Sequence, residues 1–107
     1  MRFATSVGRL LTQVGHWEQG RWSAPVSDPP IAAGSAPTKG DLVYALVQRL
    51  ADLGADAENR PRLPVPRLTD MTLPDQLRVM SDDLLVSADE DTLASAADQA
   101  DAVRRAL

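Results

Sequence analysis

A chain of 107 residues, 44% apolar and 24% charged, has the size and makeup of one globular domain, read here as a single unit over 1–107. It holds no cysteine, which removes disulfides, thiolate nucleophiles and cysteine-ligated metal centres together, and aromatics are only 4%, so the core must be aliphatic. The net charge of −4 works against nucleic acid, whose binding needs clustered cations.

The first helix is expected from about Ala4 to Trp22. Phe3, Val7, Leu10, Leu11, Val14 and Trp17 recur at helical spacing and share one face. Gly8 and Gly15 lie beside that face. A glycine inside a helix costs about 1 kcal/mol relative to alanine, so close approach of another backbone is expected there to offset it. Ser23 to Pro37 then breaks the pattern. Pro25, Pro29, Pro30 and Pro37, with Gly34, cannot continue a helix or sit in a central strand. Ile31 is expected to pin this long loop to the bundle.

Thr38-Lys39-Gly40-Asp41 has the form of a capping sequence, with Asp41 three residues after Thr38. The second helix is expected to run to Leu53, with Gly54 as its stop. Leu42, Val43, Leu46, Val47, Leu50 and Leu53 spread over a wide arc, so this helix should be the most buried and touch at least two others. Asp56 to Asp70 is the second break. Pro61, Pro64 and Pro66 among arginines make it extended and polyproline-like. Its PxxP spacing could dock into an aromatic groove, but it reads as a stiff spacer between helices.

The third helix is expected from near Thr72 to about Val86, with Pro74 in the first turn and Asp75 closing a cap on Thr72. Leu73, Leu77, Met80 and Leu84 form its inward stripe. Val79 and Val86 lie on the other side, seven residues apart, so this helix is expected to be buried twice, under another helix of the chain or under a partner. Ser87 with Glu90 offers a further capping box, after which Leu93, Ala96, Ala100, Val103 and Leu107 carry a fourth helix to the C-terminus. The third and fourth helices could also be one rod. No internal repeat is present.

Charge is uneven along the chain. Residues 1–22 carry Arg2, Arg9 and Arg21 against Glu18, whereas residues 82–107 are rich in aspartate. The two ends are expected to meet in the bundle; the sharper alternative is a basic partner for the acidic end.

Chemistry is hard to find. His16 is the only histidine and is expected on the exposed side of the first helix. The cluster Asp82, Asp83, Asp89, Glu90, Asp91 lacks the alternating ligands, central glycine and terminal glutamate of a calcium loop. Glu18, Glu58 and Glu90 are too far apart for the paired ExxE motifs of helical nucleotide pyrophosphohydrolases. The glycine-containing stretches do not match a phosphate loop, and no serine has a base nearby. No catalytic residue, metal site or cofactor is therefore expected. The longest apolar run, Leu42 to Val47, is too short for a bilayer, and the N-terminal residues hold no run long enough for a signal peptide, so the protein reads as cytoplasmic with no membrane partner.

The segment Asp75-Gln76-Leu77-Arg78-Val79-Met80-Ser81-Asp82-Asp83-Leu84-Leu85, with Gln19-Gly20-Arg21-Trp22, resembles small uncharacterised all-helical proteins of high-GC bacteria. That resemblance implies a helical fold and carries no functional residues.

The expectation is an all-α protein: a small, mostly antiparallel bundle of four helices, or three if the last two merge, with two proline-rich connections. Its expected role is a non-enzymatic interaction or structural module that self-associates as a homodimer, or binds a protein partner, through Trp22, Val79, Leu85 and Val86. The competing expectation is a small-molecule binder or minor enzyme, with a pocket between the first two helices, roofed by 23–37 and using His16, Tyr44 or Arg49. A transcription-linked regulator would need a basic recognition helix, and no helix qualifies.

Overall fold

Apolar side chains at turns of 3.6 residues set the architecture of the computed structural model, which describes residues 2–26 and 37–107. Among them are four long helices and one short one: α1 (Arg2–Val14), α2 (Gln19–Trp22), α3 (Lys39–Ala57), α4 (Leu73–Ser87) and α5 (Glu90–Ala106). A 3-10 turn, Asp70–Thr72, leads into α4. No strand forms among the described residues. A single antiparallel bridge joins Pro25 and Thr38, with Val26 N–H on the Pro37 carbonyl and Lys39 N–H on the Ala24 carbonyl. The anchoring role expected of Ile31 lies outside the described residues.

The first helix is shorter than its apolar spacing suggests. It ends at Val14 instead of reaching Trp22. The Gly15 N–H closes the last turn on the Leu11 carbonyl, and a Cβ at Gly15 would lie 2.7 Å from that oxygen. The chain then turns through His16, and α2 restarts at Gln19 to bury Trp22. Gly8 is different. A Cβ there would meet nothing within 4 Å, so among the described residues no backbone comes close to it, contrary to expectation.

The expected capping box at Thr38 is present: the Asp41 N–H donates to Thr38 Oγ1 and the Thr38 N–H to the Asp41 carboxylate. The stop is later than expected. Gly54 is buried within α3, and the helix continues to Ala57. Asn59, at φ 54°, supplies the left-handed residue that ends it, a conformation asparagine tolerates better than most side chains. At the next helix the expected cap also differs. Thr72 caps no amide; its hydroxyl donates to the Thr69 carbonyl, while Pro74 sits in the first turn as expected. Ala88 and Asp89 separate α4 from α5, so these are two helices, not one rod. The N-cap of α5 is Asp89, which accepts from the Thr92 N–H, in place of the expected Ser87–Glu90 box.

Four helices close a four-cornered bundle in which α3 lies along α4 and α1 along α5, and α1 touches α4 while α3 touches α5. Phe3 and Leu93 line one end of the α1/α5 pair, Thr12 and Arg104 the other, so those two helices run in the same sense. Gly40 meets Asp70, Leu50 shares a cleft with Met80, and Ala57 lies near Ser87, so α3 and α4 are also parallel. The antiparallel contacts are between these two pairs. Such an arrangement needs a long return. A helix of nineteen residues spans about 28 Å, and residues 58–69, extended, reach about 37 Å. The second proline-rich break is that return, a strap lying along α3.

The core joins Phe3, Leu10, Trp22, Val43, Leu50 and Leu77 with the alanine face of α5. Each leucine buried this way contributes roughly 1.5–3 kcal/mol. The small side chains Ala96, Ala97 and Ala100, all fully buried, let α5 approach its neighbours closely. As expected, α3 is heavily buried and packs on more than one helix.

Candidate interaction surface

Polar groups first decide what is committed to holding the fold. The backbone of the strap is fixed to α3 by two side chains. Gln48 takes the Val65 N–H at 2.7 Å and donates to the Leu63 carbonyl at 3.1 Å, in the way a neighbouring strand would. The Tyr44 hydroxyl donates to the Val65 carbonyl, and Val65 is buried. Arg67 stacks on the Tyr44 ring at 4.6 Å and reaches both Asp41 and Asp70 at 3.1 Å. Gln19 of α2 donates to the other oxygen of Asp70. At the far end of the strap, Arg62 pairs with Asp56 and holds its carboxyl below the usual range. The opposite charges of the two chain ends do meet: Arg2 pairs with Asp98 at 2.6 Å and with Asp101 at 3.1 Å. The Ser6 hydroxyl and then Arg2 lower the Asp101 carboxyl, while Asp98 and Asp101 raise the Arg2 guanidinium.

None of the residues proposed for a small-molecule pocket converge. His16 is exposed in the turn after α1, Tyr44 is committed to the strap, and Arg49 is exposed on α3. The loop expected as the pocket's roof, 23–37, lies largely outside the described residues. A cleft of about 250 Å³ does exist between α3, the strap and α4, lined by Leu50, Leu63, Pro64 and Met80 with Arg60 and Asp83 at its edges. Arg60 is already paired with Glu58. Among the described residues no three of His, Cys, Asp and Glu come together in a way that could hold a metal ion. No described helix is long and apolar enough to cross a membrane.

The four candidate interaction residues separate. Trp22, expected at the edge of an interface, is only 1% exposed; it packs edge-on against Trp17 with ring centroids 5.0 Å apart. It is a core residue, and Arg21 and Lys39 cover Trp17 from outside. Val79 and Val86 are 55% and 89% exposed, so no described helix covers them. Leu85 is half-buried and lines a shallow groove between α4 and α1 with Leu11 and Gly8. The outer face of α4 is therefore an apolar ridge, Val79 and Val86, interrupted by Asp82 and Asp83 and preceded by Asp75 and Arg78. Among the described residues, none of these three carboxylates makes an ion pair.

One surface had no signal in the sequence beyond a misplaced glycine. Arg9, from α1, and Arg104, from α5, flank a shallow groove with Thr5, Gly8, Thr12 and Gln13. Among the described residues neither arginine meets a carboxylate. The two are ninety-five positions apart in the chain, and only the parallel packing of α1 on α5 brings them together. Comparison of the chain with protein-family models, with curated proteins and with solved structures finds no match.

Proposed function

We propose that this protein is a non-enzymatic interaction module that associates with further copies of itself through the outer face of α4, in the cytoplasm. The observation that carries the reading is the pair Val79 and Val86, well exposed on an otherwise amphipathic helix. An isolated exposed valine needs no explanation; two on one ridge, one helical heptad apart, present a continuous line for a second helix to cover. A second copy is the partner because the chain carries its own surface of opposite charge, the unpaired arginines on α1 and α5. Tyr44, Gln48, Arg67 and Asp70, polar side chains near the strap, are engaged in holding it.

Sedimentation of the purified chain over a concentration series tests this. Association in the micromolar range is expected, and Val79→Asp should shift it to monomer with the fold retained, since more than half of the residue faces solvent. A wild-type chain that stays monomeric up to about 100 µM, a concentration at which even a weak single-ridge interface is occupied, refutes the reading.

A further inference from the structure

The way two copies could meet is restricted by where the ridge places its charges. A two-fold arrangement with its axis across the helices would lay α4 antiparallel on α4, with Val79 opposite Val86 of the other copy. The symmetry axis would then pass between positions 82 and 83. Asp82 would face Asp83 of the other copy in the middle of the contact, with Asp75 adding a like charge on each side and only Arg78 to oppose them; a parallel pairing about an axis along the helices would bring each aspartate to its own copy instead. Like charges brought together and desolvated are the strongest argument against a contact.

The groove on α1 and α5 has the opposite character. Its walls carry Arg9 and Arg104, unpaired among the described residues. Its floor on α1 repeats at the same interval as the ridge: Thr5 and Thr12 are seven residues apart, as Val79 and Val86 are, a rise of about 10.5 Å in each helix. Midway along the floor stands Gly8, over which a Cβ would meet nothing within 4 Å. Midway along the ridge stand Asp82 and Asp83. A ridge laid in this groove puts its valines beside the two threonines, and its aspartates over the glycine between two arginines. Gly8 then has a reason it lacks among the described residues: the backbone that approaches it belongs to the neighbour.

Building on the self-association proposed above, we infer that copies of this chain join head to tail, the acidic α4 ridge of one seated in the Arg9/Arg104 groove of the next. The ridge and the groove adjoin along the α1/α4 seam, where Gly8 and Asp82 line one cleft, but they are different surfaces, so each added copy leaves one ridge and one groove free. Growth closes as a ring or continues as a filament; it does not stop at a two-fold dimer. The contact is also screened by salt.

Complementation between two blocked variants tests this directly. Val79→Asp disables the ridge and leaves the groove; Arg9→Glu with Arg104→Glu disables the groove and leaves the ridge. In sedimentation each alone should be monomeric. An equimolar mixture should form a 1:1 dimer and nothing larger, because only one functional pair of surfaces remains. Wild-type chain should grow past the dimer as concentration rises and return toward monomer in about 0.5 M salt. A second variant guards against misfolding. Reversing both sides in one chain, with Asp82→Arg, Asp83→Arg, Arg9→Glu and Arg104→Glu, should restore association that either half-reversal abolishes. A wild-type plateau at dimer with no dimer in the mixture overturns the head-to-tail arrangement but leaves self-association standing. A quadruple reversal that stays monomeric also overturns it. A monomeric wild type removes both.

Discussion

Gly40 offers the sharpest check on how the two halves of the bundle are joined. It lies in the first turn of α3, where Asp70 comes down on it from the start of α4. A Cβ at this position would stand 2.6, 2.8 and 3.0 Å from the Asp70 Oδ1, Cγ and Oδ2. The first two distances are shorter than real contacts allow and the third is tight, so Gly40→Ala must push the carboxylate aside. That carboxylate accepts from Gln19 at 3.0 Å and from Arg67 at 3.1 Å. Each hydrogen bond is worth about 1 kcal/mol, and the Arg67 pair less because it is partly exposed. Alanine in place of glycine in a helix returns at most about 1 kcal/mol. The balance is a net loss of about 1 kcal/mol, or a fall of about 4–8 °C in Tm for a domain of this size. Urea unfolding measures it. The same substitution in an Asp70→Ala background has nothing to displace and should be neutral or stabilising by up to about 1 kcal/mol. A Gly40→Ala protein more stable than wild type, or one equally destabilised in both backgrounds, would refute the close approach.

Two further perturbations bear on the strap and on the carboxylates. Gln48→Ala removes the partner of the Val65 N–H, a half-buried group, and should cost about 1–3 kcal/mol in urea unfolding, with faster hydrogen exchange at Val65 as the local signature; unchanged exchange would mean that Tyr44 and the arginine pairs secure the strap without Gln48. Acid should destabilise the fold in a defined direction. The carboxyls of Asp41, Asp56, Asp89 and Asp101 are all depressed below the ordinary 3.8: by the Thr38 N–H, by Arg62, by the Thr92 N–H, and by Ser6 with Arg2 respectively. The unfolded chain therefore takes up protons first as pH falls. Their contribution is fully present above about pH 5 and is lost as pH drops through the depressed values. Melting temperature should decline below about pH 4, and Asp89→Asn, which keeps a capping oxygen but no titrating group, should flatten that decline. An acid limb unchanged in the variant would remove Asp89 from the account.

Sequence periodicity found the helices because their buried faces are continuous: Leu73, Leu77 and Leu84 in α4 and Leu93, Ala96 and Ala100 in α5 read as stripes and are stripes. The Thr38–Asp41 box was equally legible, since both its members are local. Failures came where a local signal has two structural outcomes. Glycine marks helix ends, but Gly54 sits inside α3, and the end is made by Asn59 in a left-handed conformation. The apolar pattern runs through Gly15 to Trp17, so it could not show that the helix breaks there and that Trp17 packs from a turn. On the surface, the exposure of Val79 and Val86 was half legible, because an outer apolar line fits a covering helix as well as a partner. The arginine groove was not legible at all. Arg9 and Arg104 belong to opposite ends of the chain, and no spacing rule relates residues that only three-dimensional packing brings together.

The return strap also has a kinetic consequence. In an up-and-down bundle each helix can dock on its predecessor as soon as a short turn forms. Here α4 finds its place along α3 only after the fifteen intervening residues have run back the full length of the helix, and α1 meets α5 only when nearly the whole chain is present. Both of the main helix pairs thus depend on distant segments, so the folding rate should fall toward that of mixed domains and below that of other helical proteins of similar length.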